Sequence, residues 1–186
     1  MGGITMNFRA IRLVCVASLP LFLAACATPV TITYSPSSTM SLHGSETVGN
    51  FVYVPAQQGK LKDNQIQNTA IGSILLDTTI AKFFAQSLLL ESRFVGIDIN
   101  GGGPSVHGQI NQFLADDLGY HVDWVLDVTY IVDSANGSGQ CYQSEKVLKT
   151  RTAKFFNVNG VIDQVIRLNI EKLFKDPAFV ACIKPH

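Results

Sequence analysis

The sequence lacks an excess of either charge. Its 186 residues include 14 Lys and Arg and 14 Asp and Glu, with no long run of one sign. Removal of a signal peptide that carries Arg9 and Arg12 leaves 12 basic and 14 acidic residues. Because nucleic-acid binding depends on the neutralisation of phosphates by Lys and Arg, this slightly acidic balance argues against a nucleic-acid partner.

The sequence also lacks an apolar run that spans a membrane, for which about 20 residues are needed. The apolar segment 13–25 is shorter, and Ser18 and Pro20 interrupt it. The two arginines named above precede it, and small residues end it. A charged start, a short apolar middle and a small-residue end are typical of a processed signal peptide, which we assign to residues 1–25.

Cys26 follows at once, and residues 23–26 read Leu-Ala-Ala-Cys. This arrangement resembles the signal of bacterial lipoproteins, whose peptide is cut before the Cys and whose Cys is then acylated. We expect palmitate-type acyl chains on Cys26 to hold the protein on membrane lipid. In that class an Asp after the Cys favours the inner membrane, so Ala27 implies the periplasmic face of a Gram-negative outer membrane. The alternative is an ordinary signal peptide with an incidental cysteine.

Cysteine is scarce beyond the predicted signal, where only Cys141 and Cys182 follow Cys26. Because the periplasm is oxidising, we predict a disulfide between Cys141 and Cys182 that ties the third long strand to the C-terminal tail. Closing a loop of this length stabilises a fold by at most about 4 kcal/mol in the chain-entropy model. The alternative is a pair of thiols too far apart to bridge. A catalytic cysteine is disfavoured, since neither residue has a histidine next to it in sequence.

The apolar pattern predicts one α+β domain over residues 46–186, preceded by a Thr-, Ser- and Pro-rich tether over 26–45. We expect an antiparallel sheet with two helices packed on one face, in which a long three-strand meander is joined by one or two N-terminal strands. The predicted strands cover 51–54, 71–76, 105–115, 121–133 and 141–156. The predicted helices cover 78–92, capped by Asp77, and 161–174. Residues 56–68 are predicted as a loop, and Pro177 as the start of a tail.

Several of these features together resemble the YajG-type lipoproteins of the bacterial envelope. They are the Leu-Ala-Ala-Cys signal, the strand before Asp77-Thr-Thr-Ile-Ala-Lys-Phe-Phe-Ala-Gln-Ser-Leu, Phe94, the paired hairpins and the closing helix. The resemblance covers about residues 45–175, and the auxiliary lipoproteins of envelope ABC transporters are similar in outline. It implies an envelope lipoprotein from a family without an established catalytic activity.

A metal site is the first kind of chemistry to consider. His107 and His121 are on neighbouring predicted strands, with Asp116, Asp117 and Asp123 close to them in sequence. The ligand spacing of known zinc sites is absent. We therefore interpret these side chains as solvated strand and turn residues and expect no metal.

The other polar patterns also favour solvated surfaces. Asp123, Asp127 and Asp133 share one strand face, whereas glycosidases hold two carboxylates across a cleft. No Gly-x-Ser-x-Gly nucleophile elbow occurs. The third long strand carries four basic residues: Lys146, Lys149, Arg151 and Lys154. They offer contacts for anionic lipid or peptidoglycan, but protection of an edge strand by Lys is the favoured interpretation.

Three functions are compatible with these observations. The first is a non-catalytic lipoprotein, without a cofactor, that binds or supports another envelope component of unknown identity. The second is a lipid-handling accessory subunit of an ABC-type transport system, which needs a dedicated apolar cavity. The third and least favoured is a cell-wall hydrolase, which needs a polar cluster with shifted acidities in a pocket.

Overall fold

The computed structural model describes residues 29–69, 73–99, 101–154 and 157–184. The predicted signal peptide, Cys26 and Ala27 therefore lie outside the described residues. Within the described part, the chain forms four helices and one mixed, open sheet of six strands. The predicted α+β class is confirmed.

The secondary-structure elements are named in chain order. The strands are β1 (Thr47–Tyr53), β2 (Gln65–Asn68), β3 (Ile74–Leu75), β4 (Ser105–Asp116), β5 (His121–Asp133) and β6 (Gln140–Ala153). The helices are α1 (Val54–Gln57), α2 (Ile80–Val95), α3 (Val158–Phe174) and α4 (Pro177–Ile183). Parts of two predicted strands, residues 71–72 and 155–156, lie outside the described residues.

The sheet has the strand order β3-β2-β4-β5-β6, and β1 also pairs with β4. The meander β4-β5-β6 is antiparallel, as expected. The N-terminal strands make the sheet mixed, however, because β1 and β2 run parallel to β4. The cause is α2, which carries the chain back to the end of the sheet where β1 begins. There Ser105 opens β4 opposite Thr47.

Local capping explains most of the remaining differences from the predicted boundaries. The cap of α2 is Thr79, whose hydroxyl accepts from the backbone N–H of Lys82, and not Asp77. The predicted loop 56–68 contains the end of α1 and the whole of β2. Pro177 does not begin a tail but starts α4, since proline suits the first turn of a helix and Asp176 caps it.

The core lies between α2 and α3 on one side and one face of the sheet on the other. The apolar side chains that alternate along β5 are buried there: Val122, Trp124, Leu126, Val128, Tyr130 and Val132. Three aromatic rings meet at its centre, with ring centroids 5.0 Å apart for Phe51 and Phe84 and 6.0 Å apart for Phe51 and Tyr130. The side chain of Asn169 in α3 accepts a hydrogen bond from the Tyr130 hydroxyl and donates hydrogen bonds to backbone carbonyls of β5 and β6. These bonds fix α3 against the sheet.

The predicted tether is not free of the domain over its described part. Residues 29–46, here called the strap, lie along the two long helices. Ile32 and Tyr34 are buried, and the Tyr34 hydroxyl donates to the Glu91 carboxylate of α2 over 2.6 Å. Val30 pairs with Leu76. The alternating apolar residues from Val30 to Tyr34 thus pack against the domain. Their burial outweighs the polar composition of the segment, from which a free tether was predicted.

Candidate functional site

The two faces of the sheet have different surroundings. The helices cover one face. On the other, called the open face, the alternate side chains of β5 remain partly exposed: Asp123, Val125, Asp127, Thr129 and Ile131. Their cross-strand partners on β6 include Glu145 and Lys149, both exposed. The open face therefore presents regularly spaced side chains of β5 and β6 to solvent.

A β-bulge distorts β4 in the middle of the open face. Ile110 pairs with Val128 and Gln112 with Asp127, so Asn111 is the extra residue. Its side-chain amide donates to Asp127 Oδ1 over 3.2 Å and to Thr129 Oγ1 over 2.9 Å. Bulges re-aim side chains and are over-represented beside functional sites. This one presents an amide, a carboxylate and a hydroxyl as one polar group.

A cleft of about 420 Å³ lies between this polar group and the turn formed by α1 and the residues after it. Pro55 and Leu61 supply apolar wall, while Lys60 and Asp127 supply charges of opposite sign. Clefts that bind small groups combine apolar walls with a few placed polar groups. The cleft is thus suited to recognition of a ligand segment with both apolar and hydrogen-bonding parts.

Two acids meet beside the cleft. The neighbouring Asp127 carboxylate raises the pKa of Glu145 above its usual range, because it accepts a hydrogen bond from the protonated Glu145 carboxyl and repels its charged form. Glycoside hydrolysis requires two carboxyl groups on opposite walls of a cleft. Asp127 and Glu145 instead lie together on a solvated sheet face. Their arrangement supports binding of a hydrogen-bond donor better than proton transfer.

An apolar patch adjoins the cleft. Leu114 and Val125 are cross-strand partners, and Val147 lies diagonally across on β6 with an exposed side chain. β6 is 14 residues long and is the last strand in the described sheet order. Such an edge offers backbone groups to a further strand, although the carbonyls of Lys146 and Val147 already accept from Asn169 and Lys172 of α3. The open face therefore combines a polar cleft, an apolar patch and an accessible strand edge.

The four basic residues predicted on the third long strand do not form one site. Lys146 faces the helices, where its Nζ contacts Asp176 Oδ2 at 2.6 Å and holds the pKa of that carboxyl down to about 2. Arg151 pairs with Asp123 on the open face at 2.6 Å. Lys154 donates to the Gly119 carbonyl over 2.9 Å. Lys149 stays exposed on the open face. Each of the first three thus has its own local partner.

Cys141 and Cys182 are joined by a disulfide, with Cα atoms 5.9 Å apart. This separation is ordinary for disulfides. The bond fastens α4 to the start of β6, beside the Lys146–Asp176 ion pair that joins the same two elements. In this position the cysteines support the edge strand of the open face.

The two histidines considered for a metal site are far apart. His107 pairs with Ile131 and His121 with Ala153, at opposite ends of the meander. The antiparallel register therefore keeps the imidazoles from converging. In the described residues, no group of three His, Cys, Asp or Glu side chains is placed to hold a metal ion.

Two buried acids were not identified from the sequence. Glu91 of α2 accepts from Tyr34 and from the backbone of the strap. Glu46 accepts from Ser92 over 2.5 Å, its Oε2 has no hydrogen-bond partner, and burial raises its pKa to about 7. The apolar stripe of α2 is continued by three polar residues, Ser87, Glu91 and Ser92. Polar residues at stripe positions are the sequence signal that indicates buried polar contacts. Both acids lie in the core and not at the cleft.

Comparison with known proteins shows the fold and no more. No family model matches the chain, and no curated protein matches it. A Xanthomonas campestris protein of family DUF330 has a similar fold: the TM-score is 0.64, over 83% of this chain and 96% of that one, at 9% identity. A Chlamydia trachomatis protein described as hypothetical has a TM-score of 0.48, over 75% and 98%, at 9% identity. The second score is too low to support an argument.

Among the described residues, no helix is long and apolar enough to cross a bilayer.

Proposed function

We propose that the protein is a non-catalytic lipoprotein of the bacterial envelope, attached through acylated Cys26 to the outer membrane, with its domain in the periplasm. There it acts as a binding or accessory component of an envelope complex. The open face is the observation that carries this proposal, because it places the cleft, the apolar patch and the β6 edge side by side. The signal resemblance at residues 23–26 supports the location.

The rigidity of the sheet favours binding through the open face. The sheet is backed by a filled core and by α3, so the surface is held rigid. Preorganised surfaces lose little conformational entropy when they bind. An extended segment added along β6 would make backbone hydrogen bonds, and its side chains would reach Val147.

A binding role fits the polar groups better than catalysis does. Asn111, Asp127 and Thr129 bond to one another and not to a nucleophile. Glu46, a carboxyl whose pKa is raised by burial, lies inside the core. A hydrolase would need such a group in an accessible pocket.

Site-specific photo-crosslinking in the native envelope tests the proposal. A photo-crosslinking residue replaces Val147 on the open face, and a matched one replaces Phe94, which is 56% exposed on the last turn of α2. We expect one discrete adduct from position 147 that is lost when Asn111→Arg is added. Equal adducts from both positions, or none from position 147, would contradict the proposal.

Attachment is tested separately by mass spectrometry of the N-terminus after membrane fractionation. The intact chain should sediment with outer membranes and carry acyl groups on Cys26, whereas Cys26→Ser should be released. An unmodified N-terminus on a soluble chain would refute the lipoprotein assignment.

One observation keeps the lipid-handling role as a second candidate. A groove of about 610 Å³ lies between the strap and α2, with Ile32, Phe83 and Leu90 among its lining residues. The groove is open at the surface and the core is filled, which favours transient contact over storage of a lipid. Binding of a fluorescent phospholipid to the purified chain, abolished by Leu90→Asp, would promote this role.

A further inference from the structure

The end of the domain at the β4–β5 turn presents large apolar side chains to solvent. Leu118 is 75% exposed and Tyr120 is 94% exposed. Val158, in the first turn of α3, is also exposed. We call this region the turn end. Exposed apolar groups that cluster in one place mark contact surfaces more often than isolated ones do.

The turn is held in place by hydrogen bonds around it. Thr69 donates to Asp116 Oδ1 over 2.7 Å and accepts from the backbone N–H of Asp117. On the other side, Lys154 Nζ donates to the Gly119 carbonyl. Leu118 and Tyr120 are therefore presented from a fixed backbone, so a partner that covers them does not have to order the turn first.

The described chain enters the domain from the side of the turn end. β2 runs parallel to β4 towards this end, and β3 runs antiparallel to β2, away from it. Val30 pairs in parallel with Leu76, the residue after β3, so the strap also runs away. Pro29, the described residue before Val30, thus lies on the turn side of Val30. Asn159, one residue after Val158, donates to the Thr31 carbonyl over 3.4 Å.

Chain length limits how far an anchor can lie from this end. Four peptide units separate Cys26 from Val30, and they span at most about 14 Å. An acylated Cys26 would thus keep the start of the strap, and the turn end with it, close to the bilayer. The opposite end of the sheet, where α2 terminates, would be the far end.

The charges of the turn end argue for apolar contact. The acids are Asp116, Asp117 and Asp123, and the bases are Arg151 and Lys154, with His121 beside them. Arg151 is already paired with Asp123, and Lys154 with a carbonyl. This balance offers no excess positive charge for anionic headgroups. Leucine partitions into the bilayer, and tyrosine is enriched at its interface.

We propose that the turn end, presented by Leu118, Tyr120 and Val158, lies in the interfacial layer of the bilayer to which acylated Cys26 attaches the protein. The inference rests on the proposed anchoring and adds an orientation to it. The strands β4, β5 and β6 then rise from the membrane, because the turn between β4 and β5 lies in its interfacial layer. The open face stands beside the bilayer surface and is accessible to a partner from the side.

Depth-dependent fluorescence quenching tests the orientation. The full acylated chain carries Tyr120→Trp and is mixed with phosphatidylcholine vesicles whose acyl chains are brominated. The native Trp124 is buried and gives the background to be subtracted. The matched control is Phe94→Trp, since Phe94 is 56% exposed but lies on the last turn of α2, at the far end. Tyr120→Trp should lose about half of its added emission, and the control almost none.

The outcomes separate this inference from the proposed anchoring. If the chain is acylated and floats with vesicles but Tyr120→Trp is not quenched, the orientation is wrong and the anchoring stands. If the chain is not acylated, the proposed anchoring is wrong. Quenching of Tyr120→Trp would then still support contact between the turn end and the bilayer. Absence of quenching would refute that contact. Leu118→Trp repeats the measurement at a second exposed position, which guards against a variant that fails to fold. Equal quenching of Phe94→Trp would also overturn the proposed orientation.

Discussion

The two faces of β5 show how one strand serves two purposes. Its even-numbered residues, from Val122 to Val132, are buried under α2 and α3, whereas its odd-numbered residues stay partly exposed. On the covered face, contacts are apolar, and the hydroxyl of Tyr130 is satisfied by Asn169. On the open face, the Asn111 amide donates to Asp127 and Thr129. The packed face and the face proposed for binding are therefore separated by one residue of register.

Truncation at the centre of the covered face should have the largest effect. Phe84→Ala removes a ring that contacts both Phe51 and Tyr130. It should lower the free energy of unfolding by about 3–5 kcal/mol. Val125→Ala on the open face of β5 is the control, and its cost should be about 1 kcal/mol or less. Urea unfolding measures both, and equal costs would refute the division into a core face and a binding face.

Loss of the disulfide should come next, because Cys141 lies on the edge strand and Cys182 on α4. Cys141→Ser combined with Cys182→Ser should lower the free energy of unfolding by about 2–4 kcal/mol. Mass spectrometry of the alkylated native chain checks the bond itself. Two free thiols in protein purified from an oxidising compartment would show that the pairing is wrong.

The buried carboxyl of Glu46 should make stability depend on pH. Its pKa is about 7 in the fold against an ordinary 4.5, because burial disfavours the charged form. The folded chain therefore holds a proton that the unfolded chain releases between these values. The resulting stability is present below pH 4.5 and is lost as pH rises through 7. The loss is at most about 3 kcal/mol.

Replacement of this side chain tests the assignment. Glu46→Gln keeps the shape without the charge, so unfolding measured across this pH range should lose most of its slope. Asp77→Asn in the exposed segment before α2 is the control and should leave the slope nearly unchanged. A slope that persists in Glu46→Gln would assign the effect to another group.

Substitution of Asn111 at the bulge should have the smallest effect on the free energy of unfolding. The same substitution should have the largest effect on binding. Asn111→Ala removes two hydrogen bonds near solvent and should cost about 1 kcal/mol. In the crosslinking experiment it should nevertheless weaken the adduct at position 147. A large loss of stability with an unchanged adduct would make Asn111 a structural residue only.

Much of the fold could be predicted from local patterns. The alternation over 121–133 matches β5, and the apolar stripe after residue 78 matches α2. The boundaries were less accurate, because side-chain caps such as Thr79 and Asn157 decide where helices begin. The site was less predictable still. Asn111 has no distinguishing pattern in the sequence, and it becomes significant only where the register of β4 against β5 shifts.

The sequence by itself determined the fold class and which residues of each long element face the core, because periodicity is a property of neighbours in the chain. Only the tertiary structure decided that β1 and β2 are parallel to β4, and that the strap packs on the helices. It also decided that Glu46 and Glu91 are buried, and that the strap runs away from the end of the sheet that carries the exposed turn of Leu118 and Tyr120. These outcomes depend on contacts between residues far apart in the chain, whose free energies no local pattern encodes.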